Sequence, residues 1–241
     1  MFVDKNLNYG IIGNCRSAAL INSKASIDWC CLPKFDSSSV FAKILDDEKG
    51  GGFWIETKQE FHISQTYLKN TCILSTVFRN ENHEFEVIDF MPRFIKNKGE
   101  FYAPPEIVRI VRPIKGSPEI KFKYDPRLEY AQGETKHVVK KNMIRSRVDS
   151  PKHDSLFLYT NIENIKIIQS NLHKLEETIF FNISYNEKLK TPQLSDCLLN
   201  FDRTKVYWLN WCSKTPVFTH YNDQILRLSL IHISEPTRQL C

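Results

Sequence analysis

Between residues 9 and 185 apolar and polar positions alternate with a period of two, in short runs separated by Gly, Pro, Asn, Asp and Ser. A period of two sends successive side chains to opposite faces, so each run reads as a strand with one face buried. Residues 16–22 and 27–32 are expected to form a hairpin across Ser23-Lys24-Ala25-Ser26. Residues 53–57 and 61–68 follow the glycines at 50, 51 and 52, and 71–79 with 85–90 form a second hairpin over Asn80-Glu81-Asn82-His83, residue types that favour turns. Residues 107–113 and 120–124 are expected to pair in the same way around Lys115-Gly116-Ser117-Pro118. Runs at 135–148, 156–161, 165–169 and 178–185 bring the count to about a dozen strands, the pattern of a mainly β chain folded as a large antiparallel β-sandwich.

Near Thr191-Pro192 the period changes. Leu194, Leu198, Leu199, Val206, Leu209 and Cys212 fit helical spacing, with Tyr207, Trp208 and Trp211 adding bulk, so a helix is expected over 194–213. A second is expected to begin near Tyr221-Asn-Asp223, with Asn222 or Asp223 as N-cap ahead of Ile225 and Leu226. The pattern divides the chain into a sandwich at 1–190 and a helical segment at 191–227. The stretch Leu228-Ser-Leu-Ile-His-Ile-Ser-Glu-Pro-Thr-Arg238 reads as a translated sequencing adapter, and 228–241 is set aside from fold reasoning on that account.

The segment 27–41 carries the candidate chemistry. Ile27, Trp29 and Cys31 alternate with Asp28 and Cys30 until Pro33 ends the strand, and Lys34, Phe35 and Asp36 then share a turn. Ser37, Ser38 or Ser39 is expected to cap a short helix over Val40, Phe41, Ile44 and Leu45. A rigid strand that hands an aromatic ring and two charges to a loop is a common foundation for a binding site. Aromatic faces stack on sugar rings, while a carboxylate or an ammonium group hydrogen-bonds their hydroxyls, so Trp29, Lys34, Phe35 and Asp36 are the candidate contacts to a carbohydrate. The alternative is that Trp29 and Phe35 belong to the core and Asp36 caps the next helix.

Composition narrows the class. The chain has 241 residues, 41% of them hydrophobic, which is enough for an ordinary core. No apolar run approaches the length of a membrane span, and Met1-Phe-Val-Asp-Lys5 puts charge where a secretion signal needs apolar residues, so a cytoplasmic location without membrane attachment is expected. Seven cysteines with no C-x-x-C pair read as reduced thiols. The net charge of +5 is spread along the chain, and the densest basic patch, Lys136, Lys140, Lys141, Arg145 and Arg147, has no aromatic platform, so no nucleic-acid partner is expected. The closest histidines, 220 and 232, are 12 residues apart, and neither a phosphate loop nor a G-x-S-x-G elbow occurs, so neither a metal nor a cofactor is expected. Asp46 with Asp47 and Glu176 with Glu177 are neighbours in sequence whose side chains diverge, which unfits them as a pair flanking one bond.

Tyr9-Gly-Ile-Ile-Gly-Asn14, Arg16-Ser-Ala-Ala-Leu20, the 27–41 segment, Gly50-Gly-Gly-Phe53, Glu86-Val-Ile-Asp-Phe-Met-Pro-Arg93, Glu106-Ile-Val-Arg-Ile-Val111 and Tyr124-Asp-Pro-Arg127 occur in this order. Together they resemble the N-terminal domain of bacterial glycoside hydrolase family 15, the glucoamylase and trehalase group. The resemblance implies a supersandwich-like front domain, followed by linker helices at 191–227 that open an (α/α)6 catalytic barrel. It implies inverting hydrolysis of α-glucosidic bonds, in trehalose or maltooligosaccharides, by two glutamates on barrel loops. No catalytic residue is then assigned within this chain, which by itself is expected to be inactive. The α-glucoside substrate is expected to be bound by the barrel, and the sandwich to pack on the barrel within one polypeptide. Arg109, Asp125, Arg127 and Tyr130 lie in matched segments and read as structural. A stand-alone carbohydrate-binding or scaffold module is the alternative, and a glycosyltransferase or phosphorylase relative a third reading.

Overall fold

A computed structural model describes residues 8–141, 143–151, 153–216 and 220–234. The chain begins with strands β1 (Tyr9–Gly13), β2 (Ala18–Asn22), β3 (Ile27–Cys31), β4 (Ser39–Phe41), β5 (Gly52–Thr57) and β6 (His62–Tyr67). It continues through β7 (Leu74–Arg79), β8 (Glu84–Phe90), β9 (Phe94–Ile95), β10 (Phe101–Tyr102), β11 (Glu106–Lys115) and β12 (Glu119–Asp125). Then come β13 (Thr135–Lys140), β14 (Met143–Val148), β15 (Ser155–Thr160), helix α1 (Asn164–Ile168), β16 (Leu172–Lys174), β17 (Ile179–Tyr185), α2 (Leu194–Ser213) and α3 (Asn222–Ser234).

The strands form two large antiparallel sheets. The smaller has the order β1-β2-β3-β5-β12-β16 with β4 also on β3, and the larger has the order β13-β14-β15-β17-β11-β8-β7-β6. A ribbon of β9 and β10 stands apart from both. Ile12, Ile21, Ile27, Phe41 and Phe122 of the smaller sheet share one core with Phe85, Val87, Val111, Leu158 and Ile183 of the larger. Edge-to-face rings bind the two layers, with Phe53 and Phe122 at 5.1 and 4.7 Å from Phe181.

β17 explains how α2 is placed. Ile179, Phe181, Ile183 and Tyr185 point into the inter-sheet core, whereas Phe180 joins Ile88, Phe90, Val108, Ile110, Phe157 and Tyr159 on the other face of the larger sheet. That second apolar face is covered by Cys197, Leu194 and Phe201 of α2. The helix starts where Asp196 accepts the backbone N–H of Gln193 at 2.9 Å, which satisfies one orphan donor of the first turn. Further along, Trp208 and Cys212 cluster with Cys72, Leu226 and Leu230, so α3 packs beside the end of α2.

Several expectations are corrected. Residues 106–115 and 119–125 are not a hairpin: β11 lies in the larger sheet and β12 in the smaller, because β11 pairs with β8 and β17 while β12 pairs with β5 and β16. The helix expected over 40–45 is absent. Ser39, Val40 and Phe41 are fully buried as β4, and a β-branched residue beside an aromatic one suits a strand. Ala42 and Lys43 then donate to the carbonyls of Gly50 and Gly51, closing a turn where the helix was expected. The strand expected at 165–169 is the short helix α1, with Ile167 buried and Asn164 Nδ2 donating to the carbonyls of Lys140 and Lys141. Short strands at β1, β4, β9, β10 and β16 raise the strand number above a dozen.

Of the stretch set aside at 228–241, residues 228–234 continue α3 and 235–241 lie outside the described residues. No helix among the described residues is long and apolar enough to cross a membrane.

Candidate functional site

One end of the sandwich gathers the loops that follow β1 and β3 and the segment around the β9–β10 ribbon. Asn14 ends the first of the matched motifs and organises this end. It is fully buried; its Oδ1 accepts the N–H groups of Arg16 and Ser17 at 3.2 Å each, and its Nδ2 donates to the Pro104 carbonyl at 2.8 Å. The hydroxyl of Ser17 donates to the Cys31 carbonyl, and the Phe35 N–H donates to the Arg16 carbonyl at 3.1 Å. The turn after β3 is therefore sewn to the turn after β1.

Within that turn Ser37 closes a small ring: its Oγ accepts the Lys34 N–H and its own N–H donates to the Lys34 carbonyl, both at 3.1 Å. Tyr130, from the turn after β12, donates its hydroxyl to the Ser37 carbonyl at 3.3 Å, and its ring lies 6.5 Å from that of Trp29. Trp29 is half-buried, while Lys34, Phe35 and Asp36 are exposed, Phe35 at 45%. Among the described residues neither Lys34 nor Asp36 has a side-chain hydrogen bond or ion pair. Phe35 is thus not a core residue, and Asp36 caps no helix because β4 follows it. The arrangement presents one free ammonium, one free carboxylate and a bare ring on a tied loop, groups suited to polar contact with a partner and not to acid–base chemistry on their own.

The two cysteines of β3 are held as neutral thiols. Burial, with Asp36 adding its charge, pushes the Cys31 thiol up to about 11, and burial drives Cys30 higher still. Among the described residues no group of three or more His, Cys, Asp or Glu side chains is placed to hold a metal.

Arg109 is a core residue. Its guanidinium grips Asp89 through Nε at 2.7 Å and Nη2 at 3.1 Å, and crosses the core to the carbonyls of Ala25 at 2.7 Å and Phe53 at 3.1 Å. Burial pushes the Asp89 carboxyl up, and the guanidinium pulls it back by charge and hydrogen bonds. Asp125 and Arg127 form a partly exposed pair at 3.0 Å.

Sequence reasoning overlooked Arg93. Its Nη1 donates to the Asn14 carbonyl at 2.8 Å, its Nε to the Tyr207 hydroxyl at 2.9 Å, and its backbone N–H to Thr204 Oγ1 at 3.2 Å. The guanidinium also lies 4.7 Å from the centre of the Phe101 ring. One side chain joins the loop end of the sandwich to the middle of α2. Its place at the end of the Glu86–Arg93 motif was the signal. Beside it a cleft of about 940 Å³ runs between the ribbon and α2, lined by Phe94, Lys96, Tyr102, Arg203 and Tyr207 among others.

The side of α2 turned away from the sheet is exposed, and Val206 also lines the edge of that cleft. Leu198, Leu199, Val206 and Leu209 are exposed by 42, 48, 63 and 39%. At 100° per residue the four fall within an arc of about 100°, well apart from the face carrying Cys197, Thr204 and Trp208. The exposed arc also holds Asp202, so α2 carries one apolar face that the sandwich covers and a mixed one with four large apolar side chains in the open.

A sequence model described as trehalase-like, N-terminal matches residues 7–177. The trehalase of Thermoplasma volcanium is 28% identical over 249 residues, covering 95% of this chain and 38% of that protein. The trehalase of Thermoplasma acidophilum is 27% identical over 238 residues, with 90% and 38% covered. Trehalase 2 of Sulfolobus acidocaldarius is 42% identical over 86 residues, 36% of this chain and 14% of that protein. The chain thus spans little more than a third of the length of the Thermoplasma relatives.

Proposed function

This chain belongs to the family of trehalase-like N-terminal domains, and from that premise we propose that it is the non-catalytic front domain of a family 15 glycoside hydrolase acting on α-glucosidic bonds, with trehalose as the substrate. The observation that carries the reading is the set of large apolar side chains that α2 leaves exposed. Leu198, Leu199, Val206 and Leu209 form an exposed group that a stand-alone sugar-binding module has reason to avoid, and one that a following helical barrel can bury. The relatives named trehalase, whose length beyond the matched region is more than half of each protein, support the choice of trehalose over maltooligosaccharides.

In this reading the chemistry belongs to that further domain. Two carboxyl groups about 6.5 to 9.5 Å apart protonate the leaving oxygen and activate a water on the opposite side, with inversion at the anomeric carbon. The sandwich contributes packing through α2, and the Lys34–Asp36 turn with Trp29 borders the substrate cleft and hydrogen-bonds sugar hydroxyls. A cytoplasmic location suits six cysteines that, among the described residues, form no disulfide.

The test is to recover the full reading frame at the locus by long-read sequencing across codon 227, express it, and follow trehalose hydrolysis by proton NMR. Equal initial release of α- and β-glucose supports inversion of the α,α-linkage. Release of α-glucose alone refutes inversion, and an intact frame without activity on trehalose refutes the substrate.

A further inference from the structure

Glu106, the first residue of β11, is 1% exposed and lies on the face of the larger sheet that α2 covers. Among the described residues its one side-chain hydrogen bond is a long one, from Asn182 Nδ2 at 3.3 Å. The groups that share its surroundings come from every element around it: Tyr102 on β10, Tyr159 on β15, Glu187 beyond β17, and Cys197 on the first turn of α2, with Asp196 beside it. All of these are acids. Among the described residues no Lys, Arg or His offsets the charge of Glu106.

Two neighbours on β17 strengthen the case. Asn182 Oδ1 and Ser184 Oγ are buried with no hydrogen-bond partner among the described residues, and both residues face α2 because they alternate with the core-facing Phe181, Ile183 and Tyr185. Asn182 already donates to Glu106, and its own acceptor lacks a donor. A protonated carboxyl carries such a donor and a carboxylate does not. Burying an ionised carboxyl here costs solvation that no cation restores.

We propose that the seating of α2 on the sandwich depends on a proton held by Glu106, so that ionisation of this carboxyl as pH rises toward neutrality loosens the helix. The inference stands whether or not a catalytic domain follows. Burial pushes the Glu106 carboxyl from 4.5 up to about 7, the Asn182 hydrogen bond opposing and Glu187 adding to the rise. The docked state therefore keeps a proton that the open state releases. Docking is strongest below about pH 4.5, weakens between there and about pH 7, and is level above. The same two values make the opening constant of α2 rise by up to about thirty-fold between pH 5.5 and pH 8.

The experiment is hydrogen exchange by mass spectrometry on the full chain at pH 5.5 and 8, corrected for the intrinsic pH dependence of exchange, with Glu106→Gln as comparison. The expected result is a roughly ten- to thirty-fold loss of protection at pH 8 confined to 194–213 and its contacts, absent in Glu106→Gln. Protection of α2 that does not change with pH overturns the proposal, as does a loss spread equally over both sheets or one that persists in Glu106→Gln. Should that variant not fold, carboxyl-carbon NMR of the wild-type chain decides: a Glu106 titration near neutrality supports the proposal, and one near the ordinary glutamate value overturns it.

Discussion

Replacing Arg109 by Met removes the one cation that, among the described residues, faces Asp89 in the inter-sheet core, while keeping much of the side-chain volume. Both partners are buried, Arg109 at 1% and Asp89 at 0% side-chain exposure. Breaking such a pair from one side costs about 3–5 kcal/mol, because the remaining charge has neither water nor a partner. The Ala25 and Phe53 carbonyls lose their guanidinium donor as well, which favours the upper half of that range. With about 2.1 cal/mol/K of unfolding entropy per residue over 241 residues, a loss of about 4 kcal/mol lowers the melting temperature by about 8 °C. The sign of the pH dependence is fixed. Burial raises the Asp89 carboxyl, and losing the guanidinium raises it further, so the variant's deficit is smallest in acid, where both folded proteins hold the Asp89 proton, and grows as pH rises through wild type's own raised Asp89 value. Urea unfolding of wild type, Arg109→Met, Asp89→Leu and the double variant at pH 4.5 and 7.5 measures this. The double variant is expected to recover at least half of the single variant's loss, since neither member of the pair is left as an unpartnered charge. A single-variant deficit below about 1 kcal/mol, or one equal at both pH values, would refute the argument.

Three further outcomes are expected. Gly51→Ala places a methyl group 2.2 Å from the Asp125 carbonyl at a backbone φ of +64°, and is expected to lower stability by about 2 kcal/mol or more, read as the urea midpoint. Trp208→Ala empties a fully buried site between α2 and the sandwich and should cost about 3–5 kcal/mol, whereas Leu209→Ala on the exposed face should change the same melting curve by less than about 0.5 kcal/mol. Asp36→Ala should likewise leave the melting temperature within about 1 °C of wild type, because the side chain caps no helix; in the full-length enzyme kcat/KM for trehalose should fall if the turn borders the cleft.

What the sequence makes legible follows the range of the interaction. α2 was readable because its apolar spacing is local, and its span of Leu194–Ser213 is the one that periodicity predicts. The β7–β8 and β2–β3 hairpins were readable because the turn residues lie between the partners. The connection from β11 to β12 was not, since Lys115-Gly116-Ser117-Pro118 turns a chain equally well within a sheet and between sheets. α1 was missed because five residues, Asn164–Ile168, are too few to separate a period of two from one of 3.6. At the candidate site, Lys34, Phe35 and Asp36 could be placed on an exposed turn from Pro33 and the serines alone. The partners of Arg93 and Glu106 could not be read, because Asn14, Tyr207 and Asn182 lie between 76 and 114 residues away in sequence.

The passage of the chain from β11 to β12 also sets an order of assembly during synthesis. β5 finds its neighbour β12 only after residue 125 has been made, and β11 finds β17 only after residue 185. Until then a ribosome-bound chain exposes the unpaired edge of β11, with Val108 and Ile110 on one side and Ile107 and Val111 on the other, to any other strand it meets. Late-forming pairings between distant segments fold slowly. Production of this domain should therefore respond strongly to translation rate, temperature and chaperone supply.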